Sequence, residues 1–234
     1  MSKENGPPVV TLKDVTKIYR QGSLEVPALR GLSLDVKKGE LLAICGPSGS
    51  GKTTTLNLIG ALDQPTEGSV VVEGKQLDKL SRTALSELRR DRIGFVFQAY
   101  NLIPVLTAYE NAEIVLALQG QAATKRRKRV MDLLGAVGLE GMEHRRPDQL
   151  SGGQQQRVAI ARAIASDPAV VLADEPTANV DSETAERLLD IMVDLNQQRG
   201  VTFIFSTHDP RVMERARRVV RMVDGKVESD ETKA

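Results

Sequence analysis

Among its 234 residues the chain has no tryptophan, one cysteine, two histidines, three tyrosines and four phenylalanines. A single cysteine excludes a disulfide framework and a zinc site built from thiolates. The charges nearly cancel, with 32 Lys+Arg against 31 Asp+Glu for a formal +1. Near-neutrality and scarce aromatics argue against a nucleic-acid binder, which is normally basic and stacks bases on aromatic rings. No window approaches the ~18 consecutive apolar residues that span a bilayer; residues 170–173 and 114–118 are far shorter. Residues 1–8 are polar, lack the apolar centre of a signal peptide and read as a flexible tail. The expectation is a soluble chain made in the cytoplasm. What is present is 41% hydrophobic residues. That suffices for a buried core in one or two compact domains, and is too much for a disordered chain.

Short strands are expected over residues 9–12, 32–36, 41–45 and 70–73, with turns at Gly39 and Gly74. Residues 41–45 are continuously apolar, which suits a strand covered on both faces. A helix should follow over 52–62. Residues 77–149 turn helical, with one clear strand at 93–97. Val130, Leu133, Leu134 and Val137 form an i, i+3, i+4, i+7 stripe that Gly138 ends. This predicts a helical subdomain, about residues 99–160, inserted into a sheet domain. Beyond it come a helix from Ser151 to about 166, a strand at 169–173 and a helix over 182–199 that Gly200 stops. A strand at 201–205, an Asp209-Pro210 helix start, a strand at 219–223 and a polar tail over 228–234 complete the pattern. Strands alternating with helices predict an α/β fold with a mainly parallel sheet, and the early strand cluster predicts a smaller antiparallel β subdomain beside it.

Residues 46–53 match G-x-x-x-x-G-K-[ST] in full, between an apolar strand and an amphipathic helix. Gly46, Gly49 and Gly51 let the backbone curl around an anion, and its N–H groups converge on phosphates at a helix N-terminus. Lys52 adds a point charge for the β/γ-phosphates, and Thr53 a hydroxyl for Mg²⁺. The strand at 170–175 ends in two adjacent acids. Ligands bind beyond the C-terminal ends of parallel strands, so Asp174 is placed to hold Mg²⁺, and Glu175 to orient or deprotonate a water. Ser151, Gly152 and Gly153 open a second helix N-terminus suited to an anion, about a hundred residues from the first. Since one chain needs one nucleotide at its phosphate loop, a spare anion site suggests service to another copy's nucleotide.

Residues 150–157 resemble the signature motif of the ATP-binding-cassette (ABC) superfamily. The phosphate loop and the acidic strand end match its Walker A and Walker B motifs, and the resemblance runs over residues 9–227. It implies a P-loop NTPase (RecA-like) core, with Ser48, Ser50 and Thr54 joining the cradle. It further implies that Tyr19 stacks on adenine and that Gln98 touches Mg²⁺ and faces a membrane partner. Asp181 takes the D-loop position, and His208 sits near the γ-phosphate. Each of these alone would read as an ordinary surface or turn residue. Residues 28–31, 57–63, 100–107 and 176–182 resemble the lipoprotein-release and macrolide-export type of ATPase, with Ala178 and Val180 departing from the usual Gly and Leu.

The resemblance implies an ATPase working as a head-to-tail homodimer with two ATP molecules at the interface. It also implies a separate transmembrane permease contacted near residues 98–110, with the chain peripheral on the inner face of the cytoplasmic membrane. Export or extraction of a lipoprotein or lipophilic substrate and mechanical regulation of a cell-envelope enzyme both remain open. Action on nucleic acid is disfavoured by length and charge. The basic run at 125–129 reads as the solvated start of a helix, with anionic lipid headgroups as a smaller alternative. Cys45 reads as a small buried residue rather than a redox switch, and His144 as surface.

Overall fold

In the computed structural model, which describes residues 7–22 and 24–233, alternation of side chains across the strands sets the layering. In chain order the strands are β1 (Val10–Gln21), β2 (Leu24–Val36), β3 (Leu41–Cys45), β4 (Glu67–Val72), β5 (Lys75–Gln76), β6 (Ile93–Val96), β7 (Val170–Asp174), β8 (Phe203–Thr207), β9 (Arg218–Val223) and β10 (Lys226–Thr232). The helices are α1 (Lys52–Ile59), α2 (Arg82–Arg92), α3 (Ala108–Leu118), α4 (Ala123–Ala136), α5 (Gly152–Ile164), α6 (Ser182–Arg199) and α7 (Pro210–Arg215). The main sheet has the order β10-β9-β3-β8-β7-β6, parallel except for the β9–β10 pair. A second, antiparallel sheet has the order β2-β1-β4-β5.

Successive residues of a strand point to opposite faces. Leu41 and Ala43 of β3, Val171 and Ala173 of β7, and Phe203 and Phe205 of β8 therefore pack into one core with α3 to α7. Leu42, Ile44, Val170, Leu172 and Ile204 pack into the other, with α1, α2 and the antiparallel sheet. The strands are covered on both faces, which explains their uninterrupted apolar runs. Between β6 and β7 the chain forms α3, α4, a 3-10 turn (Pro147–Gln149) and α5, which continues through residue 160 to Ile164. Among the described residues no helix is long and apolar enough to cross a membrane.

Several boundaries differ from expectation: β4 covers Glu67–Val72 rather than 70–73, and β8 covers Phe203–Thr207 rather than 201–205. The first two strands form a long hairpin, because all four β2 residues from Leu24 to Pro27 are exposed and the ladder needs no apolar pattern there. α1 stops at Ile59. The chain folds back so that Leu62 and Asp63 both donate backbone N–H groups to Asn57 O, leaving Leu62 exposed. The expected polar tail over 228–234 is instead mostly strand β10, paired with β9 through Thr232. An edge strand can carry polar residues on both faces, and here Asp230 accepts two hydrogen bonds from Arg218, at 2.7 and 2.6 Å. Of the expected flexible tail, only Pro7 and Pro8 are among the described residues, and both are exposed.

Candidate functional site

The C-terminal ends of β3, β7 and β8 lie side by side, with Cys45 opposite Thr207 and Asp174 opposite Ser206. They open onto a cleft of about 700 Å³. Gly46 to Gly49 and Gly51 to Thr54 form one wall, and Val26, Pro27 and Ala28 of β2 another; Gln98, Glu175, Ser206 and His208 complete it. At Gly46 φ is 148°, and a methyl there would overlap Met222 O, so only glycine turns the chain out of β3 this tightly. Gly51, left-handed at φ 99°, ends the loop as the N-cap of α1. Lys52 Nζ donates to Gly46 O at 2.8 Å and Pro47 O at 3.0 Å, which holds the ammonium over the loop. The Ser50 and Ser206 hydroxyl oxygens are buried without a hydrogen-bond partner. A positive, donor-rich cradle of this shape fits a polyphosphate.

The carboxylates face this cradle. Thr53 Oγ1 donates to Asp174, at 3.2 and 3.3 Å from its two oxygens. Among the described residues no cluster of three or more His, Cys, Asp or Glu forms a metal cage. One carboxylate and one hydroxyl beside a phosphate cradle is the donor set that suits Mg²⁺, which is usually bound by few side chains plus phosphates. Glu175 is left-handed at φ 45°, a strained conformation for a non-glycine residue. Its N–H donates to Ser206 O at 2.9 Å, and its carboxylate accepts from Thr207 Oγ1 at 3.2 Å and lies 2.6 Å from His208 Nδ1. The Glu175 side chain is 17% exposed and that of His208 76%. The base candidate is thus fixed, while the imidazole reaches out.

A web of polar contacts around Gln98 had no signal in the sequence. Gln98 Nε2 donates to Asn179 Oδ1 at 3.5 Å, and Asn179 Nδ2 returns a bond to Gln98 O at 2.9 Å. Tyr100 and Asn101 are both left-handed. Arg162 of α5 donates to their carbonyls, at 2.9 and 2.6 Å. Asp209 caps α7, binds Arg211, and accepts from Thr177 Oγ1 at 3.0 Å. The Arg211 guanidinium beside it lowers the Asp209 pKa.

Ser151, Gly152, Gly153 and Asp181 do not line the cleft. Ser151 and Gln154 cap α5 reciprocally. Asp181 caps α6 through Thr184, whose N–H and hydroxyl hydrogen-bond its carboxylate and lower its pKa. Gly153 packs on that same Thr184: a methyl there would overlap Thr184 Cγ2, and one at Gly152 would crowd the Tyr100 hydroxyl. Tyr19 also stands outside the cleft lining, on the strand beside Val26, and donates its hydroxyl to Asp63 Oδ2 at 2.9 Å. Cys45 is buried beneath the loop, and burial pushes its thiol pKa up, away from the reactive thiolate. His144 is exposed. In the basic run, Arg126 pairs with Glu113 and Arg129 with Asp167.

Residues 29–178 match the family model described as ABC transporter. An ATP-binding protein of Thermotoga maritima is 48% identical over 95% of this chain and 95% of its own. The lipoprotein-releasing system ATP-binding protein LolD of Anaeromyxobacter dehalogenans is 47% identical, over 98% and 97%. The macrolide export ATP-binding/permease protein MacB of Hyphomonas neptunium is 47% identical over 96% of this chain, which spans 35% of that protein. Among solved structures, the ATP-binding cassette MJ0796, a dimer in a post-hydrolysis state with ADP and Pi, superposes with a TM-score of 0.88 at 45% identity. That match covers 96% of this chain and 99% of that one. The chain belongs to the ABC transporter family, as an ATP-binding and ATP-hydrolysing domain.

Proposed function

We propose that two copies of this chain close head-to-tail on two Mg-ATP and drive a separate permease in the export or membrane extraction of a lipoprotein or other lipophilic substrate. The observation that carries this reading is the division of the anion-binding groups. The cradle, Glu175 and His208 share one cleft, while Ser151 to Gly153 lie outside it. Groups outside their own chain's cleft are placed to serve the nucleotide of a second copy. MJ0796 is a dimer, and LolD is named for lipoprotein release.

Within each site, Lys52 meets the β- and γ-phosphates, and Thr53, Asp174 and Gln98 hold Mg²⁺. Bound there, the cation offsets charge on the phosphate oxygens. Glu175 orients the attacking water and accepts its proton. His208, with Nδ1 against Glu175, turns Nε2 toward the γ-phosphate. Tyr19 offers its ring to the adenine. The permease contact near residues 98–110 is supported by exposed Ile103 and Val105, the latter 73% exposed. A groove lined by Leu62, Phe95, Phe97, Asn101 and the arginines Arg89, Arg90 and Arg162 reaches this segment at Asn101.

Size-exclusion of the Glu175→Gln variant tests the pairing: Mg-ATP should shift it from monomer to dimer, and a variant that stays monomeric contradicts the scheme. Co-purification with membrane proteins tests the cargo. Recovery of a permease with a lipoprotein-binding domain supports it, and recovery of a cell-envelope hydrolase activator overturns it.

A further inference from the structure

We infer that Asp63 is a positioning residue for base recognition, clamping the Tyr19 ring to the helix that carries the phosphate cradle. The inference rests on the proposed role of Tyr19 as the adenine platform. Tyr19 lies near the free end of the long β1–β2 hairpin, half-buried, with exposed Arg20 next to it and exposed Val26 opposite. A ring there, held only by its ladder bonds, would present no defined face to a base. Asp63, in the segment between α1 and β4, supplies the missing restraint. Its Oδ2 accepts the Tyr19 hydroxyl at 2.9 Å, and its Oδ1 accepts Lys17 Nζ at 2.6 Å and its neighbour Gln64 N at 2.7 Å. The Lys17 ammonium, also bound to Gln64 O at 2.7 Å, stands 4.9 Å from the centre of the Tyr19 ring. A cation at that distance occupies one ring face, which leaves the other for stacking.

Asp63 is itself indexed to the cradle. It follows the fold-back of the chain after α1, with its N–H on Asn57 O, and α1 begins at Lys52. Base platform and phosphate cradle are therefore referred to one rigid helix, so their separation is set before any nucleotide arrives. Burial raises the Asp63 pKa, but the bonds from Lys17, Gln64 and Tyr19 outweigh it and hold the carboxyl below its usual range. The clamp is thus formed throughout the neutral range. Preorganisation of this kind acts on binding rather than on the chemical step.

The test compares ATP with inorganic tripolyphosphate, which uses the cradle but has no base, as ligands of the wild type, Asp63→Ala, Tyr19→Phe and Tyr19→Ala. Asp63→Ala should weaken ATP binding by roughly ten-fold or more, the lower end of what losing a hydrogen bond to a charged group costs, and raise KM far more than it lowers kcat. Tripolyphosphate binding should stay near wild type. Tyr19→Phe keeps the ring and loses the hydroxyl, so it should reproduce much of the defect, and Asp63→Ala added to it should cost little more. Parallel loss of ATP and tripolyphosphate binding in Asp63→Ala, or no loss in either Asp63→Ala or Tyr19→Phe, overturns the clamp. If Tyr19→Ala leaves ATP binding intact, the platform reading itself fails; if only Tyr19→Ala weakens ATP, the platform stands and the clamp falls.

Discussion

His208 Nδ1 lies 2.6 Å from Glu175 Oε1, joining the end of β8 to the end of β7. The contact holds the carboxylate from one side while Thr207 holds the other oxygen. With Nδ1 taken, Nε2 is the ring nitrogen left for the proposed phosphate contact.

Glu175→Gln should therefore slow ATP hydrolysis by roughly 10²–10⁴-fold, the usual loss on removing a general base. His208→Ala should cost on the order of 10²–10³-fold in kcat, as for loss of a donor to developing charge. Single-turnover hydrolysis with saturating Mg-ATP measures both. A rate within threefold of wild type for either variant, by about that margin, would remove the residue from its role.

Gly153 is a packing residue as well as a candidate phosphate contact, because the methyl of an alanine would strike Thr184 Cγ2. Thr184 is a stiff β-branched residue already bonded to Asp181 through its hydroxyl. Gly153→Ala should destabilise the fold by about 1–3 kcal/mol, as overpacking does. Thr184→Ser, which keeps the hydroxyl and removes Cγ2, should recover most of the loss. Denaturant unfolding of the single and double variants measures this, and equal instability of both would show that α5 and α6 do not meet here as described.

Acid should weaken the fold in a defined sense. Asp63, Glu73, Asp132 and Asp209 all have pKa values lowered in the folded chain, Glu73 by Arg92, Asp132 by Arg199 and Asp209 by Arg211. A depressed carboxyl contributes stability that is present above its unfolded pKa, near 4, and is lost as pH falls through the folded value. The melting temperature should hold from neutral pH to about pH 5 and drop below about pH 4. A flat profile down to about pH 3 would contradict the assignment of these pairs.

Part of the candidate site was legible because phosphate and metal chemistry demands particular residues at fixed spacing, as at Gly46, Lys52, Thr53, Asp174 and Glu175, while Gln98 and His208 were legible only through the family resemblance. Gly46, Lys52, Thr53, Gln98, Glu175 and His208 stand around one cleft, and Asp174 bonds Thr53 beside it. The contacts that position them were not legible. Asn179, Arg162, Thr177 and Asp63 meet their partners through tertiary folding, at sequence separations of 32 to 81 residues, and no local pattern announces such pairs. The main parallel strands were readable from their apolar runs, which burial on both faces requires. The β1–β2 hairpin and β10 were harder, since edge and solvent-facing strands are held by backbone ladders and ion pairs such as Arg218–Asp230 rather than by apolar alternation.

The central claim is that each nucleotide is shared, with the cradle from one copy and Ser151 to Gly153 from the other. It is tested most directly by mixing two inactive variants. Lys52→Ala should disable the cradle, and Ser151→Arg should impair hydrolysis while leaving ATP binding to the monomer nearly intact. In a head-to-tail heterodimer both defects fall in one site and the other site is whole. The account predicts that an equimolar mixture regains ATPase activity, up to about a quarter of the wild-type rate from random pairing. A mixture that stays as inactive as its components would contradict it.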